Sequence, residues 1–301
     1  MPGAEGGILA LIGANGMLAA KVRELSPPGY AVHGFDLPEF DLTDARLVRT
    51  ALEVLRPKVI VNCAAYTNVD GCESDSATAN RVNGEGPGIL AIVARELGAT
   101  LVHISTDYVF SGDARRPYRE DDTPAPRSAY GRSKLAGEAA VAASGLEQYF
   151  IIRTSWLYGP GGKNFVETMV RLAREREELR VVADQVGAPT YTADLAAALF
   201  HLLALEGQGG DVPYGIYHFA DQGECSWHAF AEAIIAQARA RGERLKVQRV
   251  TPITTAEYPL PAARPAYSVF DTNRYRQATG QRIPSWQESL EHYFRYDRSH
   301  S

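Results

Sequence analysis

An apolar run over residues 8–12 stops at Gly13-Ala14-Asn15-Gly16, and beyond it Met17, Leu18, Val22 and Leu25 recur at helical spacing. The pattern predicts a strand, a tight turn and a helix. Further apolar runs predict strands over 30–36, entered through Pro27-Pro28-Gly29, over 59–64 behind Pro57, over 101–105 and over 149–154. Helices fall between them, one over 89–97 that Gly98 stops and one carrying Lys134. Strands alternating with helices of this length predict βαβ units and a parallel sheet covered on both faces. Beyond Trp156 the rhythm changes. A Gly/Pro loop at 159–162 precedes a charged helix over 164–178, and short strands and loops follow, including 184–190. Ser226 is placed to cap a helix with Phe230 and Ile234 at helical spacing, and the proline-rich stretch 252–265 reads as loop. The apolar stretch at 195–205 contains His201, is too short to span a bilayer, and reads as a buried helix. The expected organisation is a main domain over 1–155, joined by part of 190–222, with a smaller mixed α/β lobe over 156–189 and 223–301.

The turn at Gly13-x-x-Gly16 lies between a strand and a helix, which is where glycine lets a pyrophosphate approach the backbone and rest on the positive helix end. Ala19 stands where a third glycine is usual, a change of one methyl that leaves the phosphates room. Asp36 follows the second strand, where a carboxylate can grip ribose hydroxyls. Together these predict a Rossmann-type, doubly wound dinucleotide fold. Asp36 nominally favours NAD, but its position leaves the choice between NADPH and NADH open.

Tyr130 and Lys134 are four residues apart, so on a helix they share a face. A cation beside a phenol favours phenolate and brings it toward a pKa useful for proton transfer. Thr106 ends the fourth strand, at the carboxyl edge where open α/β sheets place ligands. The acidic loop of Glu120, Asp121 and Asp122 leads toward Tyr130 and reads as solvated, stiffened by Pro124 and Pro126. Cys63, His103 and His218 read most simply as core residues on strands.

The chain has 301 residues, enough to bury about three quarters of its unfolded surface. A formal charge of −5 argues against a nucleic-acid surface, so local groups must hold any anionic ligand. Cys63, Cys72 and Cys225 match neither a metal-ligand spacing nor a disulfide framework, which fits reduced thiols in the cytoplasm. Residues 1–7 have no basic region followed by an apolar core, so no secretory signal and no membrane segment are expected.

A dinucleotide fold followed by Thr106 and then Tyr130 and Lys134 resembles the extended short-chain dehydrogenase/reductase superfamily. Closer still, the chain resembles the dTDP-4-dehydrorhamnose reductases from residue 8 to about 290. The blocks that carry this are Val61-Asn-Cys-Ala-Ala-Tyr-Thr-Asn-Val-Asp70, Ser105-Thr-Asp-Tyr-Val-Phe110, Arg153-Thr-Ser-Trp-Leu-Tyr-Gly159, Gly162-Lys-Asn-Phe165, residues 184–190, Tyr217-His218, and Arg264-Pro265 with Ser268-Val-Phe-Asp-Thr272. The resemblance implies reduction of the C4 ketone of dTDP-4-dehydro-β-L-rhamnose by NADPH, with NADH as the alternative, as the last step of dTDP-L-rhamnose synthesis.

It also implies a site. Gly13, Gly16, Met17 and Leu18 would hold the pyrophosphate, Asp36 the adenosine ribose, and Asp41 and Leu42 the adenine. Ala65, Tyr66 and Thr67 would line the nicotinamide side. Tyr130 would protonate the sugar C4 oxygen, Lys134 would bind the nicotinamide ribose and tune Tyr130, and Thr106 would orient the carbonyl. Asp107, Trp156 and Arg264 would face the substrate, Arg264 through the diphosphate or a neighbouring polar group. Tyr108 stands where nucleotide-sugar dehydratases carry a second carboxylate for water elimination, which points to simple ketone reduction. Some relatives dimerise through a metal on acidic residues, one early in the first helix. Lys21 is there instead, so no metal is expected and a homodimer stays open. Two rivals stand beside this reading: a reductase of another dTDP-4-keto-6-deoxy sugar, and a non-catalytic NADP(H)-binding regulatory subunit.

Overall fold

The computed structural model describes residues 6–207 and 213–298, so residues 1–5 of the stretch read for a signal lie outside the described residues. Six parallel strands form one sheet: β1 (Ile8–Ile12), β2 (Ala31–Phe35), β3 (Val59–Asn62), β4 (Thr100–Thr106), β5 (Tyr149–Thr154) and β6 (Gly215–His218), in the order β6-β5-β4-β3-β1-β2. The chain leaves β1 toward β2 on one side and returns through β3 on the other. Their shared boundary is the switch point where a doubly wound sheet opens a crevice at the carboxyl ends of its strands.

Side-chain alternation along β1 explains why both faces need cover. Leu9 and Leu11 face a core that also takes Leu18 and Val22 of α1 (Met17–Glu24) and Leu195, Leu199 and Leu202 of the helix Thr192–Leu203. Ala10 and Ile12 face the opposite core, closed by Val48 and Leu52 of α2 (Ala45–Leu55), Leu90 and Val93 of α3 (Gly86–Leu97), and Val141 of α4 (Ala129–Ala143). The apolar stretch around His201 is thus a buried covering helix. No helix among the described residues is long and apolar enough to cross a membrane.

A separate core, away from the sheet, gathers Val166, Met169 and Val170 of the helix Phe165–Glu175, Phe230 and Ile234 of the helix Trp227–Ala240, and Trp286 and Leu290 of the helix Trp286–His292. Ser226 does cap its helix, accepting from Ala229 N at 3.1 Å. The charged helix is shorter than the pattern predicts. Asn164 caps it at one end, and at Glu178 the chain enters a strand, Glu178–Val182. That strand pairs in parallel with Arg249–Ile253, so Pro252 lies in a strand where loop was expected. Proline lacks an N–H, and a two-stranded ribbon tolerates it because each strand is an edge.

Candidate active site

The carboxyl ends of the strands border a cleft of about 530 Å³. Its lining includes Gly13, Gly16, Met17 and Leu18, together with Asp36, Asp41 and Leu42. Gly13 has φ +77°, and a Cβ there would meet Ala64 N at 2.6 Å, so glycine is required both by conformation and by close approach. Gly16 caps α1 without a side-chain hydrogen bond, leaving first-turn N–H groups for a ligand. Asp36 braces this turn, accepting from Asn15 N through one carboxylate oxygen and from Leu37 N through the other, each at 2.8 Å. A glycine turn with no room for a Cβ, beside an uncapped helix start, fits a dinucleotide pyrophosphate.

Ala65, Thr67, Thr106, Asp107, Tyr130, Lys134 and Trp156 line the same cleft. Tyr66 and Arg264 are not among the lining residues. The Tyr66 backbone is pinned by Asn83, which accepts from Tyr66 N at 2.8 Å and donates to Tyr66 O at 3.1 Å. Arg264 grips Asp70 with Nη2 at 2.7 Å from Oδ2. Trp156 adopts φ +48° and lies flat against Trp227, ring centroids 3.5 Å apart.

Tyr130 sits in the first turn of α4, whose cap Ser128 accepts from Gly131 N at 3.0 Å. The helix passes so close to its neighbours that a Cβ on Gly137 would fall 2.1 Å from Asn83 O. The Tyr130 ring meets Tyr108 edge-on at 5.4 Å. The expectation that Lys134 lowers the Tyr130 pKa is not met. Burial, reinforced by the Asp107 charge, raises the phenol, and only the Thr106 hydroxyl opposes this. Lys134 instead donates to Ile104 O at 2.6 Å, and burial lowers it to about 8. Asp107 is raised to about 6 by burial, against the Ser268 and Thr106 hydroxyls. Its Oδ1 accepts from Thr106 at 3.0 Å; Oδ2 is buried without a well-formed hydrogen bond among the described residues, although the Ser268 hydroxyl is near enough to stabilise the carboxylate. Thr154, registered opposite Thr106, lines the same cleft with its hydroxyl also unpartnered among the described residues.

With this geometry in place, the similarities can be read. A protein-family model described as the RmlD substrate binding domain matches residues 8–298. The chain belongs to that family. It is 43% identical over 288 residues to a dTDP-4-dehydrorhamnose reductase of Burkholderia thailandensis, covering 94% of this chain and 96% of that one. It is 44% identical over 282 residues to one from Streptomyces griseus, covering 92% and 90%. The crystal structure of a dTDP-4-dehydrorhamnose reductase from Bacillus anthracis str. Ames in complex with NADP superposes with a TM-score of 0.89 at 42% identity, over 96% of this chain and 99% of that one.

For this member of the RmlD family, several contributors to the cleft had no sequence signal. Thr154, the last residue of β5, and Ser155 after it belong to a block that carries the family resemblance, but nothing in that block marks them as cleft residues. Asn83 reaches both the Tyr66 loop and Ser133 on α4, at 3.0 Å, across 50 residues of chain. Glu120 is not a solvated loop residue. It accepts from His218 N at 3.0 Å, and burial raises its pKa, whereas Asp122 pairs with Arg116 at the surface and is lowered to about 2.

Proposed function

We propose that the cleft reduces the C4 ketone of dTDP-4-dehydro-β-L-rhamnose with NADPH, giving dTDP-β-L-rhamnose. The observation that carries this reading is that Tyr130, Thr106 and Lys134 line the same cleft as the Gly13 turn. Gly13, Gly16, Met17 and Leu18 would hold the pyrophosphate, with Asp36 at the adenosine ribose and Asp41 and Leu42 at the adenine. NADPH, when bound, supplies a hydride to C4. As the carbonyl π electrons move onto oxygen, the Tyr130 O–H bond breaks and its proton goes to O4. Tyr130 then recovers a proton from solvent. A raised phenol pKa suits this direction, because the proton stays in place until the far more basic alkoxide develops. Thr106 orients the carbonyl, and Asp107 Oδ2 accepts from a sugar hydroxyl. Trp156, backed by Trp227, supplies the apolar wall for the sugar. In this reading residues 1–155 with part of 190–222 serve the cofactor, 156–189 and 223–301 serve the sugar nucleotide, and the setting is cytoplasmic. Oxidation of NADPH by purified protein supplied with the dehydrorhamnose nucleotide tests the proposal; no turnover refutes it.

Two variants probe its parts. Above about pH 6 Asp107 is a carboxylate that can accept from sugar hydroxyls, and below it the group is neutral. kcat/KM for the sugar nucleotide should therefore fall on acidification through pH 6, since that parameter reports free-enzyme ionisations. Asp107→Asn should be slower above about pH 6 and lack this limb; a limb that persists would remove Asp107 from the role. Asp36→Ala removes an acceptor for the NADH ribose and a negative charge facing a 2′-phosphate. The ratio of kcat/KM for NADPH over NADH should rise about tenfold, the worth of one hydrogen bond to a charged group. An unchanged ratio would place the adenosine ribose elsewhere.

A further inference from the structure

Lys134 is 2% exposed, yet its neighbours suit an ammonium poorly. Along α4, Glu138 is taken up by Arg153, whose Nη2 donates to it at 2.6 Å, and by the Ser105 hydroxyl. Cys63, beyond β3, is a thiol that burial pushes up to about 12, and Tyr130 is a phenol raised by burial. Asp107, after β4, is engaged by Thr106. What remains close to the amine is Ile104 O at 2.6 Å and His103 Nε2 at 3.5 Å.

The polarity of the His103 contact follows from a backbone group two residues beyond β3. Ala64 N–H can only donate, so Asn62 Oδ1, 3.1 Å away, is the acceptor. Asn62 Nδ2 therefore points at His103 Nδ1, at 3.1 Å, as a donor. Burial, the leading cause and one that does not depend on the charge of Lys134, holds His103 well below its usual pKa, so the ring is neutral with a single N–H. With Nδ1 accepting, that proton is on Nε2. His103 thus turns a donor toward Lys134, which an amine lone pair can accept and an ammonium cannot.

We propose that Asn62 and His103 are positioning residues for Lys134, a relay of fixed polarity that starts at the Ala64 N–H, turns a donor toward the lysine and so favours its neutral, hydrogen-bond-accepting form until the cofactor ribose arrives. The ribose hydroxyls then offer oxygen acceptors, which shift Lys134 toward the ammonium that binds them. The inference rests on Lys134 being the cofactor-facing lysine of the reductase. It assigns work to His103, a residue whose complete burial otherwise reads as core packing.

The test is read in the ligand-free full-length protein. Nitrogen NMR of histidine-labelled wild type should show His103 protonated on Nε2. Asn62→Asp makes an acceptor of the group facing Nδ1, and Asn62→Leu removes the donor without adding charge. In both, Nε2 is released to accept from Lys134, and the Lys134 titration, followed by carbon NMR of labelled lysine, should rise by about one unit or more. A purely structural role for Asn62 would leave that titration in place. An Nδ1-protonated His103 in wild type overturns the proposal, as do folded variants in which Lys134 titrates as in wild type. Should neither variant fold, the wild-type tautomer decides alone. None of these readings uses turnover, so they stand apart from the reductase assignment, which Lys134→Met and Tyr130→Phe address.

Discussion

Tyr130→Phe is expected to lower kcat by about 10²–10⁴-fold, the usual worth of a positioned general acid. KM for the sugar nucleotide and for NADPH should move little, because the lost proton transfer is felt in the transition state and not in the ground state. The substitution tests chemistry cleanly because the ring is held by packing. Tyr130 lies edge-on to Tyr108 at 5.4 Å and against a small cluster of Cys72, Ala79 and Ala129, all of which a phenylalanine ring can still meet. Only the hydroxyl facing Thr106 is removed. Steady-state kinetics of NADPH oxidation, with cofactor binding measured separately, gives the split. Full activity in the variant would sink the assigned acid. Lys134→Met should differ in kind, raising KM for NADPH along with its loss of kcat, since that side chain is assigned to the nicotinamide ribose.

What could be read from the chain depends on how local each demand is. The Gly13 turn is a short-range requirement, positive φ and no room for a Cβ, so it shows in a few letters. Strand ends such as Thr106 follow from apolar runs that fit a sheet buried on both faces. Contacts between distant segments leave no such trace. Asn62 and His103 meet across 41 residues and His103 and Lys134 across 31, and nothing in the intervening letters announces either contact. Arg264 finds Asp70 across 194 residues, a pairing that no local pattern announces. The Tyr130 pKa shows a different limit. Spacing reveals the neighbouring cation but not the desolvation, and in the folded protein desolvation is the larger effect. Pro252 shows a third: a residue that breaks a central strand is harmless in a two-stranded ribbon, and which ribbon forms is a tertiary matter.

Glu138→Ala should destabilise the protein by about 3–5 kcal/mol, because it strands a buried guanidinium. Glu138 is 3% exposed and Arg153 2%, and three hydrogen bonds join them, at 3.0, 3.2 and 2.6 Å. Nothing nearby can replace the carboxylate. His218 Nε2 lies 3.4 Å from Arg153 Nη1, but its Nδ1 faces Tyr118 O at 3.0 Å, and burial with the Arg153 charge lowers its pKa to about 3, so it is a neutral acceptor. Phe110, 5.1 Å beneath the guanidinium, offers only its π face. A loss of this size corresponds to a fall in Tm on the order of 10 °C for a chain of this length. The companion Glu138→Leu/Arg153→Met removes both charges and should recover most of the stability, since the cost lies in the unpaired ion and not in the absent bridge. Thermal melts of the two variants beside wild type make the comparison. A Glu138→Ala protein that melts with wild type would mean that water reaches Arg153, and the pair would then not be the buried tie between α4 and β5. The double variant should also show whether α4 keeps its place without the tie. Tyr130 and Lys134 ride on that helix, so kcat should survive in the double variant to the extent that packing along Gly137 and Val141 alone fixes their position.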